Sequence, residues 1–133
     1  KLPVGLPCEL ARFVEGARLY DSSCSPEARV WFVDKDNGYY LKTCGVGSLK
    51  REAEMTAYFH SKGLGTEVLY YFSGDADWML SARVRGEDCT HAQYLNDPKR
   101  LCDTIAAELR RLHELDFSDC PIQDRMSEYF PLV

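Results

Sequence analysis

A chain of 133 residues is about one domain, long enough to bury a core without cross-links, and its 45% apolar, 28% charged and 12% aromatic make-up is that of a folded soluble protein. The formal charge of −5 argues against general binding to nucleic acid or anionic membranes, which needs clustered Lys and Arg. No apolar run approaches the length of a membrane span, so membrane insertion is not expected.

In chain order, "PCELARFVEG" has a short helical pattern, with Leu6, Leu10, Phe13 and Val14 on one side and Gly16 as a stop. "ARLYDS" and "RVWFVDK" read as strands around the turn "SCSPEA". "DNG" at Asp36 to Gly38 is a strong hairpin signal into a third strand, "YYLKTC". Residues 48–62 read as a helix closed by Gly63. "TEVLYYF" and "DWMLSAR" form a second hairpin across "SGDA". Beyond Asn96 the pattern is helical again: Asp97 is a good N-cap, Pro98 suits the first helical position, and Leu101, Ile105, Leu109 and Leu112 form one stripe. "DFSDCP" reads as a loop and "DRMSEYFPLV" as the start of another apolar segment. A strand-rich front followed by helices predicts an α+β fold: a five-stranded, largely antiparallel sheet with one helix inserted after the third strand.

Six cysteines, Cys8, Cys24, Cys44, Cys89, Cys102 and Cys120, show no CxxC pair or zinc-like spacing. They read as reduced and mostly packed thiols, and without a leader the expected compartment is the cytoplasm. Asp34 with Asp36, and Asp75 with Asp77, look like metal-binding pairs but lack the offsets of a calcium loop and read as turn chemistry. His60, His91 and His113 are isolated from one another and read as structural or solvated. No metal site is expected in the chain.

Gly45-Val46-Gly47, between a strand and a helix, resembles the start of a dinucleotide-binding turn. It fails at the third glycine, where Lys50 stands, and reads as a flexible connector. The flanking residues say more. Alternation puts Tyr40 and Lys42 on one face of their strand, a flat ring and an ammonium about 7 Å apart. Adenine near the first and phosphates at the second would fit; a lysine snorkelling from a half-buried sheet is the plainer alternative. On the following helix Leu49, Ala53, Met55 and Phe59 form the apolar stripe, and Glu52 falls inside it while Glu54 faces away. A carboxylate turned toward a core needs a partner, and Lys42 is the candidate unless Glu52 reaches water at the stripe's rim. Such a strand lysine and helix glutamate hold the α- and β-phosphates of ATP in protein-kinase-like enzymes.

With "SCSPEARVWFV", "YYLK", "KREAEM", "MLSARVRGED" and "LRRLHELDFSDCP" in order along nearly the whole chain, the sequence resembles the amino-terminal lobe of the aminoglycoside phosphotransferases, closest to the 3′-type. The resemblance implies a protein-kinase-like N-lobe over residues 1–84, followed over residues 85–133 by a helical segment that begins a second lobe after a hinge. It implies that Ser25 and nearby backbone groups lie by the nucleotide phosphates, that Tyr40 stacks on adenine, that Lys42 binds phosphate and that Glu52 holds Lys42. Backbone groups of Ser81 and Arg83 would meet the adenine edge, although Leu80 to Gly86 is one residue longer than the family's usual spacing. Cys120-Pro121 would mark the passage into the larger lobe. The implied cofactors are ATP and Mg²⁺, and the implied acceptor is an aminoglycoside-like alcohol, whose phosphorylation confers resistance. No HGDxxxxN loop occurs, so the 133 residues are expected to lack the catalytic aspartate and the Mg²⁺ ligands and to be inactive alone, and to self-associate through exposed apolar surface. The alternatives are a non-catalytic nucleotide-binding or interaction module, and a kinase of another small alcohol such as choline, homoserine or a macrolide.

Overall fold

The computed structural model describes residues 2–122. The apolar segment expected at "DRMSEYFPLV" lies outside them. The chain divides into two compact units, Lys1–Val84 and a second that begins at Arg85.

In the first unit a single 3-10 turn, Cys8–Leu10, runs into α1, Ala11–Val14. Then follow strands β1, Arg18–Asp21, β2, Arg29–Asp34, and β3, Tyr39–Cys44, then helix α2, Lys50–Ser61, and strands β4, Val68–Ser73, and β5, Asp77–Ala82. The five strands form one antiparallel sheet in the order β1-β2-β3-β5-β4, so α2 carries the chain over β5's place to the far edge and β5 returns beside β3. The "DNG" turn closes β2 on β3 with Asp36 at φ 54 and Gly38 at φ 90, and Gly38 N–H donates to the Lys35 carbonyl at 2.8 Å.

Two-residue alternation gives the sheet two unlike faces. One carries Trp31, Val33, Leu41, Trp78 and Leu80, covered by Leu10 and Val14 of the first helical segment in the main core. That segment is too short to hold itself. Its apolar side is anchored on the sheet, and Lys35 Nζ donates to the carbonyls of Arg12 and Glu15 at 2.6 and 3.0 Å, closing its C-terminal end. The opposite face packs Met79 of β5 against Leu49 and Ala53 of α2, with Val68 and Tyr71 of β4 alongside. A register shift between Val68 and Tyr70 keeps β4 serving both cores, since Leu69 and Tyr70 join the first cluster and Val68 and Tyr71 the second.

In the second unit, α3 is Ala92–Leu95 and α4 is Pro98–His113. Asp97 caps α4 by accepting from Arg100 N–H at 3.0 Å, with Pro98 in the first turn, as the sequence pattern predicts. Among the described residues no helix is long and apolar enough to cross a membrane. No disulfide joins the six cysteines, but the expectation that most are packed is wrong: Cys8, Cys24, Cys89 and Cys102 are exposed, and Cys44 and Cys120 are half-buried.

Candidate functional site

The face of β3 that turns toward α2 carries Tyr40 and Lys42. Across the sheet, Tyr40 stands opposite Phe32 of β2 on one side and Ser81 of β5 on the other, while Lys42 stands opposite Val30 and Met79. Directly opposed residues share a face, so these six side chains form one patch.

Lys42 Nζ meets both carboxylate oxygens of Glu52, at 2.8 Å to Oε1 and 2.7 Å to Oε2. The partner predicted from the helical stripe is the one found. Glu54 lies 4.0 Å from Lys50, one turn back on its own helix. Glu52 is not sealed in a core: its side chain is 42% exposed and that of Lys42 25%. An ion pair this open contributes about 0–1 kcal/mol to stability, so folding alone gives little reason for its geometry. An ammonium has three donors, and one carboxylate leaves capacity for a further anion.

Tyr40 is 37% exposed. Its ring leans on Phe32, centroids 5.5 Å apart, and Phe32 in turn stacks on Tyr20 at 6.2 Å. This row of rings gives the patch a flat apolar side next to its cation. Ser81, nearly buried, lies opposite Tyr40. The Arg83 N–H donates to the Gly38 carbonyl at 3.0 Å and its guanidinium lies 5.4 Å over the Phe32 ring. Ser25 is exposed in the loop between β1 and β2. That loop is closed by Ser22 N–H to the Val30 carbonyl at 2.9 Å and by Val30 N–H to Ser23 Oγ at 3.0 Å. Cys44 Sγ, two residues beyond Lys42 on the same face, donates to the Glu27 carbonyl at 3.1 Å and ties the loop to the lysine's end of the strand. The structure thus brings Tyr40, Lys42, Glu52 and Ser81 together, and reaches Ser25 through the loop backbone.

Two readings are corrected. Asp77 opens β5, as the strand "DWMLSAR" has it, but its side chain is fully buried rather than serving as turn chemistry with Asp75. Gly45-Val46-Gly47 is not a free connector, because Asp77 Oδ1 accepts from Gly47 N–H and Oδ2 from Leu49 N–H, both at 2.9 Å. Ser73 Oγ and Tyr71 OH donate to the same carboxylate at 2.6 and 3.2 Å. Burial works against its charged form, but the hydrogen bonds from Ser73, Gly47, Leu49 and Tyr71 outweigh that and hold the Asp77 carboxyl below the usual carboxylate range. The signal was there to find, since alternation puts Asp77 on the same face as Met79 and Ser81, where a carboxylate needs partners. Phe32, read only as part of a strand, was the other omission.

An aromatic face beside a paired but unsaturated ammonium, flanked by a loop of exposed backbone, is a donor set suited to a flat base with an attached polyphosphate. Among the described residues no three His, Cys, Asp or Glu side chains are gathered where they could hold a metal ion.

Comparison with known proteins bears on the same residues. A "probable aminoglycoside 3'-phosphotransferase" of Lactococcus lactis subsp. lactis (strain IL1403) is 49% identical over 128 residues, covering 96% of this chain and 49% of the relative. The chain therefore spans about half the length of that protein. The pattern of the phosphotransferase enzyme family matches residues 25–132, a stretch that includes Ser25, Tyr40, Lys42, Glu52 and Ser81. On that match and that identity, the chain belongs to the phosphotransferase enzyme family.

Proposed function

We propose that this chain is the ATP-holding, protein-kinase-like N-lobe of an aminoglycoside O-phosphotransferase, a resistance enzyme. The observation that carries the reading is the two-oxygen contact of Glu52 with Lys42, on the same face as the half-exposed Tyr40 ring. The sheet with one inserted helix and the likeness to a protein named as an aminoglycoside 3'-phosphotransferase support it.

In this reading Tyr40, backed by Phe32, offers its ring to the adenine. Lys42 neutralises α- and β-phosphate charge, and Glu52 keeps the ammonium from swinging away. The loop of residues 22–28 supplies N–H donors to phosphate oxygens, with Ser25 at its exposed turn. The base edge would meet the Ser81 side of the patch, because the Arg83 N–H is already given to Gly38. Mg·ATP, when bound, supplies the phosphoryl group that passes to an acceptor hydroxyl, a step that depends mostly on positioning and charge neutralisation. The reading assigns a catalytic base, Mg²⁺ ligands and the acceptor pocket to no residue of this chain.

The test is binding of Mg·ATP to the 133-residue chain by calorimetry. Lys42→Ala is expected to abolish binding, Glu52→Ala to weaken it about tenfold as a charge-assisted contact is lost, and Glu54→Ala to leave it unchanged. Equal effects of the two glutamate substitutions would overturn the assignment.

A further inference from the structure

Glu52 projects from the third residue of α2 and Lys42 from β3, so their 2.7 Å contact requires the helix to sit at one height and one rotation over the sheet. Packing of Leu49 and Ala53 on Met79 sets the spacing, but apolar contact is non-directional and leaves sliding and rotation open. The start of α2 has no cap of its own: Leu49 occupies the N-cap position with no side-chain hydrogen bond. The directional restraint comes from 28 residues downstream, where the Asp77 carboxylate takes the Leu49 N–H and, with its other oxygen, the Gly47 N–H. Each oxygen also accepts one hydroxyl, Ser73 on Oδ1 and Tyr71 on Oδ2, so the roughly four acceptor sites of the carboxylate are filled. Asp77 is also in register with the lysine's strand, opposite Cys44, while the neighbouring same-face pair is Met79 opposite Lys42. One buried side chain is thus joined to Lys42 through the sheet ladder and to Glu52 through the first turn of α2.

We propose that Asp77 is a positioning residue for the Lys42–Glu52 pair, holding the 45–49 loop and the start of α2 so that Glu52 meets the ammonium with both oxygens. A carboxylate suits this place because it accepts only, and four donors point at it. An amide in its place would turn an NH₂ toward two of them. The catalytic meaning of the role rests on the nucleotide reading above; the geometric role does not.

The experiment therefore has an arm that needs no nucleotide. In the 133-residue chain, the Lys42 ammonium protons are followed by ¹⁵N-edited NMR in Asp77→Asn, in Ser73→Ala and in Val33→Ala, a control that loosens the core on the opposite face. The two variants at the anchor are expected to lose the slowly exchanging Lys42 signal, as Glu52→Gln does, while Val33→Ala keeps it at comparable loss of thermal stability. Loss of the signal in all three, or in none, would overturn the proposal. If Asp77→Asn does not fold, Ser73→Ala against Val33→Ala decides it in the same way. In the second arm, Mg·ATP binding weakens about tenfold in Asp77→Asn, the scale of one lost charge-assisted hydrogen bond. If the unaltered chain binds no Mg·ATP while the NMR difference persists, the nucleotide reading fails and the positioning role stands.

Discussion

At the scale of single residues, the informative contrast is between two carboxylates. Glu52 is open to water and holds one lysine, whereas Asp77 is closed from water and holds four donors. Only the second is expected to matter greatly to stability, since an orphaned buried donor costs about 1–3 kcal/mol and replacing Asp77 orphans several. Its pH dependence has a definite sign. The carboxyl titrates lower folded than its unfolded value of about 3.9, so its contribution is fully present above that value and is lost as pH falls through the folded one. Thermal unfolding of the natural chain and of Asp77→Asn should therefore differ by a constant amount above about pH 5 and converge on further acidification. A gap that stayed constant down to pH 2 would show that Asp77 does not titrate with unfolding.

At the scale of elements, the β2–β3 hairpin supports the aromatic side of the site from behind. Gly38 has a positive φ of 90°, and a Cβ there would stand 2.9 Å from the Phe32 ring and 3.0 Å from the Arg83 side chain. Gly38→Ala should therefore destabilise by about 1–3 kcal/mol through left-handed strain, and weaken whatever the Tyr40 face binds by displacing Phe32. Chemical denaturation alongside ligand titration checks both; unchanged stability would remove the basis for the second effect. The strands, the inserted helix and the Lys42–Glu52 pairing were legible in the sequence because each rests on a short periodicity: two for the strand face, 3.6 for the helix stripe. The strand start at Asp77 was legible in "DWMLSAR", but the partners of its carboxylate were not, because they lie 30, 28, 6 and 4 positions away at Gly47, Leu49, Tyr71 and Ser73. The commitment of the Arg83 N–H to Gly38 is of the same kind, a long-range pairing that spacing does not reveal.

At the scale of the whole molecule, α4 has an apolar stripe with no burial to match it. Ile105, Leu109 and Leu112 are 43%, 49% and 41% exposed, and α4 has no fully buried residue. Contiguous apolar surface of this sort favours association. Sedimentation of the 133-residue chain should show concentration-dependent self-association, carried out under reducing conditions because four cysteines are exposed, and Leu109→Glu should diminish it. A monomer at all concentrations would count against the stripe as a contact surface. The cysteines were misjudged from composition for the same reason that the stripe was easy to see: a periodic row of leucines declares a face, whereas a solitary thiol says nothing about its depth.

Lys35 makes one element conditional on another. Its ammonium finishes α1 from 23 and 20 residues away, on Arg12 and Glu15, and a four-residue helix has no lasting existence unaided. The helix that covers the main core therefore depends on a residue that follows it in the chain, at the turn between β2 and β3. Without the hairpin that carries Lys35, α1 would lack the donor that closes its C-terminal end, and the cover of the main core would lose its polar anchor.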